Sequence, residues 1–385
     1  MSASFDLPPP SPAALEVSAE LTRVIRAEIR AAGGWLDFAR YMELALYAPG
    51  LGYYSAGSTK LGPSGDFVTA PELSGLFGRA LARTLRTELV GTSAPVILEL
   101  GAGSGALAAE MLAALADLSP SYLILEPSAD LRERQGRALA RFAGRISWLD
   151  RLPERPNVHA IVANEVLDAL PVARFAKRGP RVVPRGVVEH GAAFAWADGP
   201  ERAELSAAVG VLERALGAPL ADGYESEVAL QLPAWIASVA GALERGCLLL
   251  VDYGLVRREY YHPQRSSGTL ICHYRHRAHA DPFLFPGLQD LSAWVDFSAC
   301  ADAARAAGLE VAGFTTQAQF LLATLAAEPL LADADAATLQ ERSALKTLLL
   351  PGEMGERFKV LLLRNGAASG RSRGALPGRD LRGWL

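Results

Sequence analysis

The segment from Val96 to Gly105, Val-Ile-Leu-Glu-Leu-Gly-Ala-Gly-Ser-Gly, constrains the fold of this chain more than any other. A mostly apolar run that leads into alternating glycines predicts a buried strand followed by a tight turn. Gly101, Gly103 and Gly105 have no Cβ, so the turn can adopt positive φ and approach a ligand closely. We therefore expect a Rossmann-like α/β sheet that binds an adenosine-containing cofactor.

The spacing of these glycines bears on which cofactor is bound. A dinucleotide fingerprint reads G-x-G-x-x-G and seats a pyrophosphate at a helix N-terminus. Here the third glycine comes one residue earlier, and the acid Glu99 precedes the turn. An added carboxylate suits a cation better than a diphosphate, so the pattern favours S-adenosyl-L-methionine, with its sulfonium, over NAD. The alternative is a tight strand-to-helix connection with no ligand.

Composition narrows the class of protein. The chain has 385 residues, half of them apolar, but no uninterrupted apolar run long enough to span a bilayer. Its start lacks the basic and apolar blocks of a signal peptide, and three cysteines are too few for a disulfide framework. The formal charge of −4 provides no electrostatic footprint for nucleic acid. We expect a cytoplasmic protein that binds no nucleic acid and does not insert into a membrane.

Strand and helix signals alternate along most of the chain, which is typical of a doubly wound parallel sheet. The predicted helices of this part are 107–118 and 129–142. The predicted strands are 96–100, 122–125, 158–163, 247–251, 309–314 and 358–363. These are six strands of an expected seven-stranded sheet, in which the last strand is antiparallel.

The remaining segments predict elements outside this sheet. Residues 1–90 predict an N-terminal helical cap, with helices at 15–31 and 35–46 and an ordered loop. The predicted core comprises 91–171 and 228–364. Residues 172–227 interrupt it as a β-rich and helical insertion facing the substrate, and residues 365–385 predict a flexible basic tail.

Polar residues end two of the predicted strands, where a doubly wound sheet binds its ligand. Glu126 ends strand 122–125 and can accept hydrogen bonds from both ribose hydroxyls; the alternative is an exposed acid at a strand end. Asn164 follows strand 158–163, where it either holds the cofactor's amino group or turns the backbone.

Several longer motifs make the pattern more specific. They are Gly-Asp-Phe-Val-Thr-Ala-Pro-Glu at 65–72, the glycine turn, Asn-Glu-x-x-Asp-Ala-Leu-Pro at 164–171, Val-Asp-Tyr-Gly at 251–254, Tyr-His-Pro-Gln-Arg at 261–265, Pro-Gly-x-Gln-Asp at 286–290 and Pro-Gly-Glu-Met-Gly at 351–355. With these motifs, residues 17 to 364 resemble the MidA family, relatives of the mitochondrial complex I assembly arginine methyltransferase. The resemblance implies a seven-stranded class I methyltransferase core that uses S-adenosyl-L-methionine and releases S-adenosylhomocysteine.

The resemblance also implies an acceptor: an arginine on a partner protein, such as a respiratory complex subunit. A guanidinium is a poor nucleophile while its charge is delocalised, and carboxylates can orient it and localise that charge. Glu165 and Asp168 are therefore the predicted catalytic residues. Asp168 has a competing interpretation as the N-cap of a helix.

The predicted site residues form two further groups, one for the cofactor and one for the substrate. The predicted cofactor-binding residues are Glu99, Gly101, Gly103, Gly105, Glu126 and Asn164. The predicted substrate-binding residues are Asp66, Thr69, Glu72, Asp252, Tyr253, His262 and Arg265.

No metal is expected, although His262, His273, His276 and His279 occur in one segment beside Cys272. Their spacing matches no common zinc finger, and neighbouring arginines would bring positive charge near a metal. The segment is better interpreted as a lid or a substrate-facing wall.

Two other functions are compatible with the same residues. One is an assembly factor that binds the cofactor and a partner protein without essential turnover. The other is a methyltransferase that acts on oxygen or nitrogen of a small molecule. The resemblance does not specify the oligomeric state and admits a dimer.

Overall fold

The computed structural model describes residues 7–55, 69–326, 339–365 and 375–385. The chain divides into two compact units that alternate along the sequence. The first unit comprises Met1–Phe67, Asp168–Leu232 and Arg257–Trp294. The second unit comprises Val68–Leu167, Pro233–Val256 and Val295–Leu385.

The strands are β1 (Leu36–Asp37), β2 (Val96–Leu100), β3 (Ser121–Leu125), β4 (Ile146–Leu149), β5 (Val158–Asn164), β6 (Ala173–Arg178), β7 (Arg181–His190), β8 (Ala193–Asp198), β9 (Glu225–Val228), β10 (Leu243–Leu255), β11 (Ile271–Tyr274), β12 (Arg277–His279), β13 (Asp290–Ser292), β14 (Val295–Asp296), β15 (Leu309–Thr316) and β16 (Phe358–Asn365). The helices are α1 (Pro12–Ala31), α2 (Phe38–Tyr47), α3 (Ala70–Leu73), α4 (Gly75–Leu89), α5 (Ala106–Ala114), α6 (Ala129–Ala138), α7 (Ala203–Leu216), α8 (Leu232–Ala242), α9 (Arg257–Tyr260), α10 (Phe297–Ala306), α11 (Gln317–Thr324), α12 (Leu339–Leu349) and α13 (Met354–Arg357). Short 3-10 turns cover Ala140–Arg145 and Arg382–Trp384.

The second unit contains the predicted doubly wound sheet. Its strand order is β15-β16-β10-β5-β2-β3-β4, with β14 beside β10. Strands β4, β3, β2, β5 and β10 run parallel, and β16 lies antiparallel between β10 and β15. Residues 160–163 of β5 and 247–251 of β10 are apolar and buried, as expected for a parallel sheet that is covered on both faces. The prediction of a seven-stranded core with the last strand antiparallel is confirmed.

The first unit contains two antiparallel sheets and a helix pair. One sheet has the order β1-β7-β6-β9 with β8 beside β7, and the other has the order β12-β11-β13. Helix α1 begins after Ser11, whose hydroxyl accepts a hydrogen bond from the Ala14 N–H. Leu21, Ile25 and Ile29 recur at helical spacing and are buried in a core that also contains residues of α2.

The units differ from the predicted domains in several places. Residues 69–90 were expected in the N-terminal cap, but they belong to the second unit. Residues 257–294 were expected in the core, but they belong to the first unit, together with residues 168–232. At the end of the chain, residues 375–385 pack against the second unit: Leu376 and Leu381 are buried, and the Leu381 N–H donates to the Phe314 oxygen of β15 at 2.8 Å. The prediction of a flexible tail rested on its basic residues and did not take these leucines into account. Residues 366–374 lie outside the described residues.

The length and hydropathy of the helices decide whether one of them could cross a membrane. Within the described ranges of the chain, none of them is both long and apolar enough to cross a membrane.

Candidate functional site

The glycine turn after β2 has the backbone that its sequence predicts. Gly101, Gly103 and Gly105 have φ values of +65°, +54° and +86°, a region that residues with a Cβ rarely adopt. The Gly101 N–H donates to the Leu125 oxygen at 3.1 Å, which fastens the turn to the end of β3. Helix α5 begins directly after Gly105. The turn therefore keeps its backbone free of side chains at the edge of the sheet where a ligand is expected.

Glu126 follows β3 and is held beside this turn by hydrogen bonds. The Ser128 N–H donates to its Oε1 at 3.0 Å, and Gln135 Nε2 donates to its Oε2 at 3.2 Å. Gln135 Nε2 also donates to the Gly103 oxygen at 3.0 Å, while Trp148 Nε1 donates to Gln135 Oε1 at 2.8 Å. Burial raises the pKa of Glu126. Each carboxylate oxygen keeps a further lone pair, so the group can still accept a hydroxyl donor.

Glu99, on β2, is buried in the same unit. Tyr122 donates its hydroxyl to the carboxyl group at 2.7 Å. Burial and the charge of Glu126 together raise the pKa of Glu99 to about 7, although the hydrogen bond from Tyr122 opposes the rise. Two carboxyl groups that repel each other create a negative potential that a bound cation would relieve. The arrangement fits the sulfonium cofactor predicted for this turn.

Asn164 and Glu165 end β5. Glu165 has φ +54°, an uncommon conformation for a residue with a Cβ, and its N–H donates to the Val251 oxygen at 2.9 Å. Asn164 Nδ2 donates to Glu165 Oε1 at 3.2 Å. Among the described residues, the buried Asn164 Oδ1 has no hydrogen-bond partner. An unpaired buried acceptor is costly, and the amino group of S-adenosyl-L-methionine is a donor that fits it.

Asp252 lies on β10, next to β5, and its carboxylate is bound by backbone. Its Oδ2 accepts from the N–H groups of Val166 and Leu167 at 3.2 and 2.9 Å, and its Oδ1 accepts from the Tyr253 N–H at 2.9 Å. The Tyr253 ring packs against Phe358 with ring centroids 5.6 Å apart. Both residues were predicted to bind substrate. The contacts of Asp252 shape the turn that follows Glu165, and its binding of substrate stays a prediction.

Asp168, the second predicted catalytic residue, is buried in the first unit. Its backbone oxygen accepts a hydrogen bond from the Ala293 N–H at 3.0 Å. The alternative interpretation of Asp168 as a helix N-cap is wrong, because the chain forms a turn here and continues into β6.

The other predicted substrate residues are divided between the units. Thr69 and Glu72 lie at the start of α3 in the second unit, and Asp66 lies outside the described residues. In the first unit, His262 Nδ1 accepts from the Gln264 N–H at 3.2 Å, and Arg265 Nε donates to the Glu259 oxygen at 3.2 Å. Both contacts are local and shape a turn.

No group of three or more His, Cys, Asp or Glu residues is placed to hold a metal in the ranges that the structure describes.

Comparison with known proteins identifies the family. Residues 76–315 match the model of a family described as S-adenosyl-L-methionine-dependent methyltransferases. The chain belongs to this MidA-type methyltransferase family. The resemblance drawn from the motifs is therefore confirmed.

Named relatives of the methyltransferase share most of its length. It is 29% identical over 388 residues to a Drosophila melanogaster protein named protein arginine methyltransferase NDUFAF7 homolog, mitochondrial, covering 89% of this chain and 84% of the relative. The Rattus norvegicus protein arginine methyltransferase NDUFAF7, mitochondrial, is 28% identical over 375 residues, covering 86% of this chain and 81% of the relative.

Solved structures decide the cofactor. A Burkholderia thailandensis protein bound to S-adenosyl-homocysteine has 43% identity and a TM-score of 0.88, covering 97% of this chain and 99% of that one. A native structure from the same organism has 44% identity and a TM-score of 0.85, with the same coverage. The methyltransferase uses S-adenosyl-L-methionine. The glycine turn, Glu126 and Asn164 stay the predicted binding residues.

Sequence reasoning missed Gln135, which connects Glu126 to the glycine turn. A glutamine within a helix carries no signal of its own. Its partners Gly103, Glu126 and Trp148 come together only when the sheet forms.

Proposed function

We propose that this methyltransferase transfers a methyl group from S-adenosyl-L-methionine to an arginine side chain of a partner protein. The observation that carries the proposal is Glu165, held at positive φ at the end of β5 with its carboxylate hydrogen-bonded to Asn164. A residue in a strained backbone conformation at a strand end is typical of functional sites. The arginine acceptor also draws support from relatives that are named protein arginine methyltransferases.

The roles of the carboxylates follow from the chemistry of a guanidinium. When bound, S-adenosyl-L-methionine supplies an electrophilic methyl group on its sulfonium. Glu165 accepts hydrogen bonds from the guanidinium, orients one nitrogen and draws positive charge toward the other two. Asp168, three residues later in the chain, is the second carboxylate of the proposal. The arginine nitrogen forms a bond to the methyl carbon, the sulfur keeps the electron pair, and a carboxylate accepts the proton that the nitrogen loses.

The test uses S-adenosyl-L-methionine with a labelled methyl group and a lysate of the cell that makes the protein. Mass spectrometry then locates the label. We expect label on arginine with the unaltered chain, and a loss of at least about a hundredfold with Glu165→Gln, because an amide cannot accept the proton. Affinity for S-adenosylhomocysteine, measured by calorimetry, should change less than about twofold.

The exposed residue Glu133, paired with Arg137 on α6, provides the matched control. Glu133→Gln makes the same chemical change and should leave transfer and binding intact. Label on another residue type would overturn the arginine acceptor, and label on a metabolite would support the small-molecule alternative. Unchanged transfer by Glu165→Gln would contradict the role of Glu165.

A further inference from the structure

A pair of stacked tyrosines in the first unit lies next to the backbone of Asp168. Two backbone hydrogen bonds fold the chain after α2 onto the end of that helix: Tyr53 N–H to the Ala45 oxygen and Tyr54 N–H to the Leu46 oxygen, both 2.8 Å. This fold brings the rings of Tyr47 and Tyr54 together, with centroids 5.6 Å apart and planes inclined by 22°.

Gly52 makes this arrangement sterically feasible. A Cβ at residue 52 would lie 2.5 Å from the Ala48 nitrogen and 2.6 Å from the Tyr47 nitrogen. Only glycine lets the chain pass so close to the helix end. The sequence Gly-Leu-Gly-Tyr-Tyr at 50–54 is therefore built to place Tyr54 against Tyr47.

The hydroxyl groups of the two tyrosines point to different partners. Tyr47 donates to the Ala169 oxygen at 2.9 Å, directly after Asp168 in the chain. Tyr54 donates to Asp290 Oδ1 at 2.9 Å, and Ser292 donates its hydroxyl to Asp290 Oδ2. The strand that carries Asp290 ends beside Ala293, whose N–H donates to the Asp168 oxygen.

The electrostatics agree with these contacts. Burial raises the pKa of Tyr54, and the charges of Asp290 and Asp168 raise it further. Tyr47 is 38% exposed, and partial desolvation with the charges of Asp168 and Asp290 raises its pKa as well. Both hydroxyls therefore stay protonated and remain donors at physiological pH. Asp290 itself is only 3% exposed. Burying a carboxylate is costly, and apolar residues would fill the same space without that cost.

We propose that Asp290, Tyr54 and Tyr47 form a positioning relay for Asp168. Asp290 fixes the Tyr54 ring, Tyr54 stacks on Tyr47, and the Tyr47 hydroxyl together with the Ala293 N–H holds the Asp168–Ala169 backbone. None of the three touches the reacting atoms; they act through Asp168. The relay rests on the proposed function, in which the Asp168 carboxylate acts on the acceptor.

The test compares two tyrosines of the same helix. Tyr47→Phe removes the hydroxyl that holds the Ala169 oxygen. Tyr41→Phe is the matched control, because Tyr41 is buried on α2 and donates to a different backbone oxygen, that of Pro282, at 2.7 Å. The acceptor protein is the one labelled in the preceding experiment. We expect kcat to fall about tenfold for Tyr47→Phe and less than twofold for Tyr41→Phe, with KM for S-adenosyl-L-methionine unchanged in both.

Two variants test the contact between Asp290 and Tyr54. Tyr54→Phe and Asp290→Asn should each lower kcat, and the double variant should be no slower than the worse of the two, because both act through one contact. Additive losses would contradict a relay that passes from Asp290 through Tyr54.

Hydrogen exchange tests the same contacts without any enzymatic turnover. Hydrogen exchange of the peptide that covers residues 168–171 should accelerate in Tyr47→Phe and not in Tyr41→Phe. Equal exchange in the two variants, or a kcat that does not fall for Tyr47→Phe, would overturn the relay. If Asp168→Asn is inactive while Tyr47→Phe is not impaired, only the relay fails. If Asp168→Asn keeps full activity, the proposed role of Asp168 fails as well.

Discussion

The predicted cofactor residues of the second unit and Asp168 of the first unit are held in place in different ways. The glycine turn, Glu126 and Asn164 each lie at the end of a strand, so their positions follow from the sheet. Asp168 is held by residues far away in sequence: Tyr47 bonds its neighbour Ala169, and Ala293 bonds Asp168 itself. The predicted cofactor residues thus follow strands that a local pattern reveals, whereas Asp168 is held by contacts between distant segments of the chain.

The largest effect is expected at the glycine turn of the second unit. Gly103 has φ +54°, so Gly103→Val forces a β-branched residue into a conformation that costs about 1–3 kcal/mol and places a side chain where the ligand approaches. Affinity for S-adenosylhomocysteine, measured by calorimetry, should fall at least about a hundredfold.

Gly241 provides the control for that substitution. A Cβ at residue 241 meets nothing within 4 Å, so Gly241→Ala should leave the affinity unchanged. Near-normal binding by Gly103→Val would show that the turn does not contact the cofactor.

A pH series on Glu99 tests the electrostatics of the second unit. The pKa of Glu99 is about 7 in the folded protein, against 4.5 for a glutamate in the unfolded chain. The folded state therefore holds the proton more tightly. The stability that Glu99 contributes is fully present below about pH 4.5 and is lost as the pH rises through 7. At pH 8 the loss is at most about 3 kcal/mol, from 1.36 kcal/mol per pKa unit.

Glu99→Gln should therefore flatten the decline in the free energy of unfolding between pH 5 and 8, measured with denaturant. Glu133→Gln, at an exposed position, should retain the decline of the unaltered chain. Parallel curves for Glu99→Gln and the unaltered chain would contradict the raised pKa.

A smaller effect is expected at Asn164. Asn164→Ala removes the buried Oδ1 that has no partner in the described part of the chain, along with the hydrogen bond to Glu165. Loss of one hydrogen bond to a charged ligand group costs about 1.5 kcal/mol, or about tenfold in affinity for S-adenosylhomocysteine. Asn365→Ala, whose Nδ2 donates to the Glu244 oxygen, is the control and should not alter binding. Unchanged affinity of Asn164→Ala would remove Asn164 from the cofactor residues.

The sequence predicted the second unit better than the first, because the signals of the second unit are local. The turn at Gly101 to Gly105 and the strands on either side of it were predictable, because alternation and glycine spacing are local. Strand β4 was missed, since Ile-Ser-Trp-Leu is short and follows a 3-10 turn without a clear pattern. The bond between Tyr54 and Asp290 joins residues 236 positions apart, and no local pattern encodes it.

The most direct test of the account is to measure cofactor affinity and methyl transfer together on Asp168→Asn. Asp168 lies in the first unit, and the predicted cofactor residues lie in the second. The account predicts that calorimetry with S-adenosylhomocysteine gives the affinity of the unaltered chain, while transfer of labelled methyl to the acceptor protein falls at least about a hundredfold. Retained transfer, or a loss of cofactor affinity that matches the loss of transfer, would contradict it.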